Sequence, residues 1–244
     1  GCGKIHSANV IPHFIGKPAH AQRMVELANP AECFCSCERP CSLDRPKKRQ
    51  EGKILIDEWC IHNIALEWDP KTNQPVDVLV PKRHGDLLTE WESSYRHTAV
   101  RPGNEARMTE AKAPLNCYVI DVLQMVTEKL ATSKLWRVDP SHDKFSGDKL
   151  YYFVTLASGD GTEGNKRFGT KHWRGPSIQI IGGKVEHSRK EMAVEAARRE
   201  FREETHEVFC QGQFEKFDGY LDKHTSIQVA HVQYCAECTS GTKP

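Results

Sequence analysis

The chain has 244 residues, with 34 basic and 33 acidic side chains and a formal net charge of +1. This near balance gives no overall electrostatic attraction to nucleic acid. The longest apolar runs are short, as at residues 178–181, whereas a membrane-spanning helix needs roughly 20 apolar residues. We therefore expect no membrane partner, and one domain with extensions or two small domains.

The cysteine content indicates a reducing compartment. The chain contains 10 cysteines, and no apolar signal segment precedes them, which disfavours a secreted disulfide framework. Reduced thiols of the mitochondrial matrix or the cytoplasm fit better. Because the chain begins at Gly1 rather than with Met, a processed product is expected, which favours the matrix over the cytoplasm.

Residues 1–52 are predicted to form an irregular, extended arm that is rich in cysteine and basic residues. Five prolines interrupt it, and the one helical fragment lies at residues 19–27. A tail of this composition becomes ordered when another molecule holds it. We therefore expect other protein subunits, or RNA contacting the basic run at 45–49, as partners of the arm; a solvated linker is the alternative reading of that run.

The cysteines form two clusters with two interpretations. Zinc sites commonly combine pairs of cysteines two to four residues apart, drawn from distant parts of a chain. A Zn²⁺ site is one interpretation, and ordinary reduced thiols are the other. The candidate ligands are Cys33, Cys35, Cys37, Cys41, Cys235 and Cys238.

Residues 53–148 are predicted to form a segment of strands and helix. Strands are expected at 53–56 and 76–80, with a turn at 69–74, where Asp-Pro and Asn favour turning. A helix is expected from Pro114, because apolar residues then recur at steps of three and four. These residues are Leu115, Val119, Val122, Leu123, Val126 and Leu130.

Residues 149–244 are predicted to form an α/β domain. Strands are expected at 149–157, 173–181, 214–221 and 227–235, with a polar, glycine-rich loop at 159–170. A helix is expected at 188–205, with Ser188 as its N-cap and Glu191 completing a capping box. Ala193, Ala197 and Phe201 form an apolar stripe that can pack this helix onto a sheet.

The predicted helix at 188–205 also carries a cluster of acidic side chains. Glu200, Glu203 and Glu204 stand at positions i, i+3 and i+4, so their three carboxylates share one face. Mg²⁺ and Mn²⁺ prefer such oxygen ligands. An exposed helix stabilised by ion pairs is the alternative, and Arg199 is placed to reach Glu203 one turn away.

The stretch from Gly182 to Val208 resembles the signature of the Nudix hydrolases. The matching positions are Glu191, Arg199, Glu200, Phe201, Glu203 and Glu204, with eight positions from Glu191 to Arg199 as the family pattern has. The stretch differs at Gly183, which lies eight residues before Glu191 instead of six, and at His206, where the family has Gly.

The resemblance implies an α+β Nudix fold, in which the signature helix packs on a mixed sheet. It also implies Glu200, Glu203 and Glu204 as ligands of Mg²⁺ or Mn²⁺, Arg199 as their orienting partner in the catalytic set, and Gly182 and Gly183 beside the substrate phosphates. In the family the metal polarises a diphosphate and helps to activate a water for attack on phosphorus.

Two functions follow as hypotheses. The first is a metal-dependent pyrophosphohydrolase that cleaves a nucleoside diphosphate linked to another moiety, or an RNA 5′ end. The second is a non-catalytic Nudix-fold subunit of a large ribonucleoprotein assembly such as the mitochondrial ribosome, where a Nudix-like protein is a known component. The extended arm, the altered helix end at His206 and a stretch after the signature that is shorter than in the family motivate the second hypothesis.

Overall fold

A computed structural model describes residues 4–29, 47–51, 54–58, 61–81, 117–132, 147–157, 163–165, 170–173, 177–205, 209–217 and 224–235. Within these ranges the chain has a mixed α/β fold, with one mixed sheet of eight strands and three α-helices. Two small hairpins complete it. The predicted class, a mixed sheet with the carboxylate helix packed on it, is confirmed.

Strands outnumber helices in the described part of the chain. In chain order the strands are β1 (Ser7–Gly16), β2 (Lys47–Glu51), β3 (Ile54–Glu58), β4 (Ile61–Asp69), β5 (Gln74–Leu79), β6 (Lys149–Ala157), β7 (Glu163–Asn165), β8 (Thr170–Trp173), β9 (Ser177–Gln179), β10 (Ile181–Lys184), β11 (Cys210–Phe217) and β12 (Thr225–Gln233). The helices are α1 (Pro18–Ala28), α2 (Cys117–Thr132), a short 3₁₀ helix (His187–Arg189) and α3 (Ala193–Glu204).

Strand β1 lies at the centre of the large sheet. The strand order is β11-β12-β1-β6-β4-β5, with β10 also paired to β1 and β9 to β6. β1 runs parallel to β12 and antiparallel to β6 and β10. The hairpins β2-β3 and β7-β8 form separate sheets. The parallel pair β1-β12 is what makes the sheet mixed, since its other strand pairs are antiparallel.

The sheet separates two apolar cores. On one face α2 packs over Ile64, Leu66 and Trp68 of β4 and over alternate residues of β6. On the other face α1 and α3 cover Val10, Ala65 and their neighbours. Successive residues of β6 alternate between the faces, so Tyr152 belongs to the first core and Tyr151 to the second. The molecule thus has helices on both sides of one sheet.

Several predicted elements are confirmed. β6 has the predicted bounds, β5 and the turn at 70–73 lie where expected, and α2 buries the predicted apolar positions from Val119 onward. The side chain of Asp69 stabilises the turn by accepting hydrogen bonds from the Lys71 amide and the Thr72 hydroxyl, both at 2.9 Å. Asn73 adopts the left-handed conformation that turn asparagines tolerate, with φ 54°.

The prediction of an irregular arm at residues 1–52 is wrong for residues 7–16, which form β1, whereas the helical fragment expected at 19–27 is confirmed by α1. The prolines interpreted as breakers occupy permissive places. Pro12 lies between Val10, where pairing with β10 ends, and His13, where pairing with β6 begins. Pro18 opens α1, a position at which a helix needs no amide hydrogen.

The predicted domain boundaries at 52 and 148 do not match the sheet. One sheet spans all three predicted segments, because it contains β1, β4 and β5 together with β6 and β12.

The predicted strand at 53–56 corresponds to β3, and β4 has no counterpart among the predicted strands. The single strand expected at 173–181 is instead three short strands, β8, β9 and β10. None of the described helices is long and apolar enough to cross a membrane.

Two buried asparagines connect the sheet to the ends of two helices. Asn29 accepts a hydrogen bond from the Asn63 amide and donates to the Asn63 carbonyl, both at 2.7 Å. The Asn63 side-chain nitrogen donates to the carbonyls of Ala28 at 3.0 Å and Glu204 at 2.8 Å. Asn63 in β4 therefore holds the last residues of α1 and of α3 in place.

We expect Asn63→Ala to lower the free energy of unfolding by about 2–4 kcal/mol, because two carbonyls in the interior lose their donor. Urea unfolding followed by circular dichroism measures this change. The control is Gln233→Ala, an exposed position at the end of β12, where a change within about 0.5 kcal/mol is expected. Equal effects at the two positions would contradict the role given to Asn63.

A second polar pair lies between β1 and β12. His13 and His231 are register partners on these parallel strands, and His13 Nε2 lies 3.3 Å from His231 Nδ1. His13 is 2% exposed. Burial, followed by the neighbouring His231, lowers the pKa of His13 to about 3, and burial also lowers the pKa of His231. Both rings are accordingly neutral at pH 7.

This pair makes stability depend on pH. Between the ordinary histidine pKa of 6.5 and the folded value of about 3, the unfolded chain takes up a proton that folded His13 does not. The His13 contribution is thus complete above pH 6.5 and is lost as the pH falls, by at most about 1.4 kcal/mol per pH unit.

We expect His13→Gln to flatten the decrease in unfolding free energy between pH 6.5 and pH 4.5. Chemical denaturation at four pH values measures the slope. His20→Gln, which removes an imidazole from α1, is the matched control and should retain the wild-type slope. An unchanged slope in His13→Gln would show that His13 titrates alike in both states.

Candidate functional site

The segment between β10 and α3 is held by backbone turns. The 3₁₀ helix ends at Lys190, which has a left-handed φ of 58°, so no continuous helix runs from residue 188. α3 begins at Ala193, and the Glu195 carboxylate accepts a 2.8 Å hydrogen bond from the Met192 amide at the N-cap. The predicted cap at Ser188 with Glu191 is therefore wrong, and Met192 with Glu195 replaces it.

The apolar face of α3 packs against β1, β10 and β12. Ala196, Ala197 and Phe201 are fully buried, and Ala193 is partly buried. This confirms the predicted stripe and adds Ala196 to it. Packing on β10 brings the acidic side chains of α3 beside the strand that carries the two glycines.

Arg199 is the centre of the site. Its guanidinium donates to both oxygens of Glu191, with Nε to Oε1 at 2.9 Å and Nη2 to Oε2 at 3.2 Å. It also donates to Glu200 Oε1 at 2.6 Å and to the Lys184 carbonyl at 3.0 Å. The predicted contact with Glu203 exists but is the longest of the set, at 3.4 Å.

These ion pairs keep Glu191 and Arg199 in their charged forms. The bond from Arg199 is the main cause that lowers the pKa of Glu191, and the Glu186 amide adds a second bond to that carboxylate at 2.8 Å. Glu191 in turn raises the pKa of Arg199, and Glu200 adds to the effect. Glu191 thus serves as the anchor of Arg199, a role that replaces the capping role predicted for it.

The three carboxylates of the cluster have different environments. The Glu203 side chain is 60% exposed, whereas that of Glu200 is 16% exposed. Glu204 is half-buried, and its Oε2 is buried without a hydrogen-bond partner. Burial, and then the neighbouring Glu200, raise the pKa of Glu204 to about 8, against a backbone hydrogen bond from Gly182 that lowers it. The Gly182 bond therefore offsets only part of the cost of enclosing the Glu204 charge.

The two glycines of β10 leave room for different neighbours. A Cβ at Gly183 would collide with the Glu200 carboxylate, which would have to shift. Gly182 has a φ of 155° and would place a Cβ against Asn9 and the Ala8 backbone of β1. Gly182 therefore requires glycine for close packing on β1. Contact with substrate phosphates, which the resemblance implies, stays a prediction.

The C-terminus of α3 is capped by a residue that the sequence did not indicate. The Thr205 amide donates to the Phe201 carbonyl at 3.1 Å, and the Asn63 side chain donates to the Glu204 carbonyl. Asn63 comes from β4, more than a hundred residues earlier in the chain. Its one sequence signal is an amide among apolar residues of a strand. His206, the departure from the family pattern, lies outside the described residues.

The zinc prediction rests mostly on residues outside the described ranges, namely Cys33, Cys35, Cys37, Cys41 and Cys238. Cys235 is partly buried just after β12. Among the residues described, no three His, Cys, Asp or Glu side chains are arranged as they stand to hold a metal ion. At the acidic cluster, the Glu200 carboxylate already accepts a hydrogen bond from the Arg199 guanidinium.

The donor set of the cluster nevertheless fits a hard divalent cation. Glu200, Glu203 and Glu204 offer carboxylate oxygens from a single helix face, and Glu204 Oε2 has no competing partner. A cation beside it would favour its charged form and lower its pKa. The buried Glu204 Oε2 without a hydrogen-bond partner is the observation that points to a ligand.

Comparisons with known proteins identify no relative. No protein-family model, no curated protein and no solved structure matches the chain. Its class is accordingly given by its architecture, a mixed α/β fold with an acidic cluster on one helix.

The raised pKa of Glu204 predicts a specific effect on stability. Between the ordinary value of 4.5 and the folded value of about 8, the folded protein retains a proton that the unfolded chain releases. The free energy of unfolding therefore decreases as the pH rises through this range.

We expect Glu204→Gln to be more stable than the wild type at pH 8 without divalent ions, by on the order of 1 kcal/mol or more, and to match it more closely at pH 5. Denaturant unfolding in the presence of a chelator measures both. Glu203→Gln, on the same helix and exposed, is the control for loss of a carboxylate. A Glu204→Gln variant that is less stable than the wild type at pH 8 would refute the assignment.

Proposed function

We propose that this protein is a metal-dependent pyrophosphohydrolase of the Nudix type. Its substrate would be a nucleoside diphosphate linked to another moiety, or an RNA 5′ end. The observation that carries the proposal is the Oε2 atom of Glu204, which is buried without a hydrogen-bond partner on the helix that also carries Glu200 and Glu203. The motif spacing from Glu191 to Glu204 supports it.

In this proposal Glu200, Glu203 and Glu204 hold Mg²⁺ or Mn²⁺. Such an ion would supply electrophilic activation of the diphosphate and of a water. The chain itself contributes the position of the carboxylates and their charge. Glu204 gives up its proton when it becomes a ligand, since its pKa of about 8 belongs to the metal-free protein.

Arg199 acts as a positioning residue. Its two bonds to Glu191 and its bond to the Lys184 carbonyl set the guanidinium against β10 and the following loop. From there it reaches Glu200 at 2.6 Å and limits the directions in which that carboxylate can point. Loss of Arg199 would therefore leave the Glu200 carboxylate without the hydrogen bond that orients it. It would also leave Glu191 without its cationic partner.

The non-catalytic alternative receives no added support. One of its grounds is an ordered arm that needs a partner, but residues 7–28 are held by the protein's own sheet. A role in a ribonucleoprotein assembly, with contacts through the arm at residues 1–52, stays a prediction. Residues 30–46 of that arm lie outside the described residues.

Purified protein with Mg²⁺ or Mn²⁺ is expected to cleave within the diphosphate of ADP-ribose, a dinucleoside polyphosphate or 5′-triphosphorylated RNA. Glu203→Gln should lower kcat by about 100-fold or more, the order expected when a metal ligand of the transition state is lost. Product analysis by ion-exchange chromatography identifies the bond that is cleaved.

Glu195→Gln is the matched control, because it changes a carboxylate of the same helix yet keeps an oxygen acceptor for the Met192 amide. Its activity should stay within about threefold of the wild type. Absence of turnover on all three substrate classes with either ion, or turnover that Glu203→Gln leaves unchanged, would refute the proposed function.

A further inference from the structure

Two of the three carboxylates of the acidic cluster lie in the last turn of α3. The helix ends at Glu204, so Glu203 and Glu204 belong to the turn whose carbonyls lack partners within the helix. Such an end frays unless donors from elsewhere bind these carbonyls. Glu200 lies one turn earlier, where the Arg199 guanidinium donates to its carboxylate at 2.6 Å. The relative position of Glu200 and Glu204 therefore depends on what keeps the last turn helical.

Asn63 of β4 supplies such a donor from outside the helix. Its Nδ2 atom donates to the Glu204 carbonyl at 2.8 Å, across 141 positions of the sequence. The same nitrogen also donates to the Ala28 carbonyl at 3.0 Å. Both hydrogens of the amide thus go to main-chain carbonyls, and the reverse orientation would place Oδ1 against two acceptors. The hydrogen bonds therefore assign the orientation of the Asn63 amide.

Asn63 is itself held in a fixed place. β4 pairs with β6 along its length, and Asn63 is the register partner of Thr155. The main-chain amide and carbonyl of Asn63 both bond to the Asn29 side chain at 2.7 Å. The residue is 1% exposed. The Asn63 side chain therefore fixes the Glu204 carbonyl relative to the sheet.

Thr205 secures the same turn by local bonds. Its amide donates to the Phe201 carbonyl at 3.1 Å, and its hydroxyl donates to the same carbonyl. These bonds close the turn on itself, whereas the Asn63 bond ties its last carbonyl to the sheet. The position of the Glu204 main chain thus depends on a residue of β4 as well as on its own helix.

We propose that Asn63 is a positioning residue of the acidic site. Through the Glu204 carbonyl it keeps the last turn of α3 helical, and it thereby holds the Glu204 carboxylate on the same face as that of Glu200. A Mg²⁺ or Mn²⁺ ion shared by the two carboxylates depends on this arrangement. The inference rests on the proposed function, because it takes the acidic cluster as the metal site. Asn63 acts through Glu204 and has no contact with the ion in this role.

Asn63→Asp tests this role, because it keeps the shape of the side chain and puts an oxygen in the place of Nδ2. The Glu204 carbonyl then loses its donor and faces a negative charge. We expect the affinity of the full chain for Mn²⁺, measured from the electron paramagnetic resonance signal of the free ion, to fall at least about tenfold, the lower end of the effect of losing an outer partner of a metal ligand. Glu203→Gln, which removes a proposed ligand, identifies the acidic cluster as the site that is measured.

Asn29→Ala separates positioning from stability. The Asn29 side chain bonds to the Asn63 main chain in β4 and to the Val25 carbonyl in α1, all at 2.7 Å. Its loss also removes buried hydrogen bonds, but the bond from Asn63 to α3 remains, so the Mn²⁺ affinity should stay within about twofold of the wild type. Hydrogen exchange of the Thr205 amide is a second measurement. It should be faster by about fivefold or more in Asn63→Asp and unchanged in Asn29→Ala.

The possible failures are distinguishable. If the wild type binds no Mn²⁺, or if Glu203→Gln binds it equally well, both the proposed function and the role of Asn63 are overturned. If the wild type binds Mn²⁺ at the cluster and Asn63→Asp binds it equally well, or Asn29→Ala weakens binding as much, the role of Asn63 alone is overturned.

Circular dichroism shows whether Asn63→Asp is folded. If it is not, Asn63→Ser decides in its place, because serine keeps one shorter donor. This variant should bind Mn²⁺ at least about threefold more weakly than the wild type. Equal binding by Asn63→Ser would then overturn the role of Asn63.

Discussion

The paired hydrogen bonds between Arg199 and Glu191 hold the acidic site together. Glu191 lies in the loop after β10, and Arg199 lies on α3, so the pair joins the loop to the helix. The same guanidinium reaches the last residue of β10 through the Lys184 carbonyl. The bonds are partly shielded from water, since the Glu191 side chain is 12% exposed, and their two-point geometry adds orientation to attraction.

The position of Glu200 follows from this pair and from the absence of a side chain at Gly183. Arg199 draws the carboxylate from one side, and the bare backbone of β10 leaves room for it on the other. Glu204, one turn further, has no such cation among the described residues, and the burial of its carboxyl group raises its pKa. A fold that retains this unpaired acid sacrifices stability there, as is common where a site must bind a charged ligand.

The elements with strong local patterns were predictable from the sequence. β6 consists of aromatic and β-branched residues, and α2 repeats apolar residues at helical spacing, so their local preferences agree with their places in the fold. β1 was missed because Pro12 suppresses the strand signal, although its position between two partner strands tolerates proline. The anchor role of Glu191 and the enclosure of Glu204 depend on contacts across the fold, which spacing along one helix does not reveal.

The parallel pairing of β1 with β12 joins residues 218 positions apart, as at His13 and His231. Contacts this distant are slow to form, because a long loop must close before they contribute. During synthesis β1 leaves the ribosome 218 residues ahead of the β12 residues with which it pairs. Until β12 follows, the edge of β1 that it covers is exposed and offers a surface for chaperones or for aggregation.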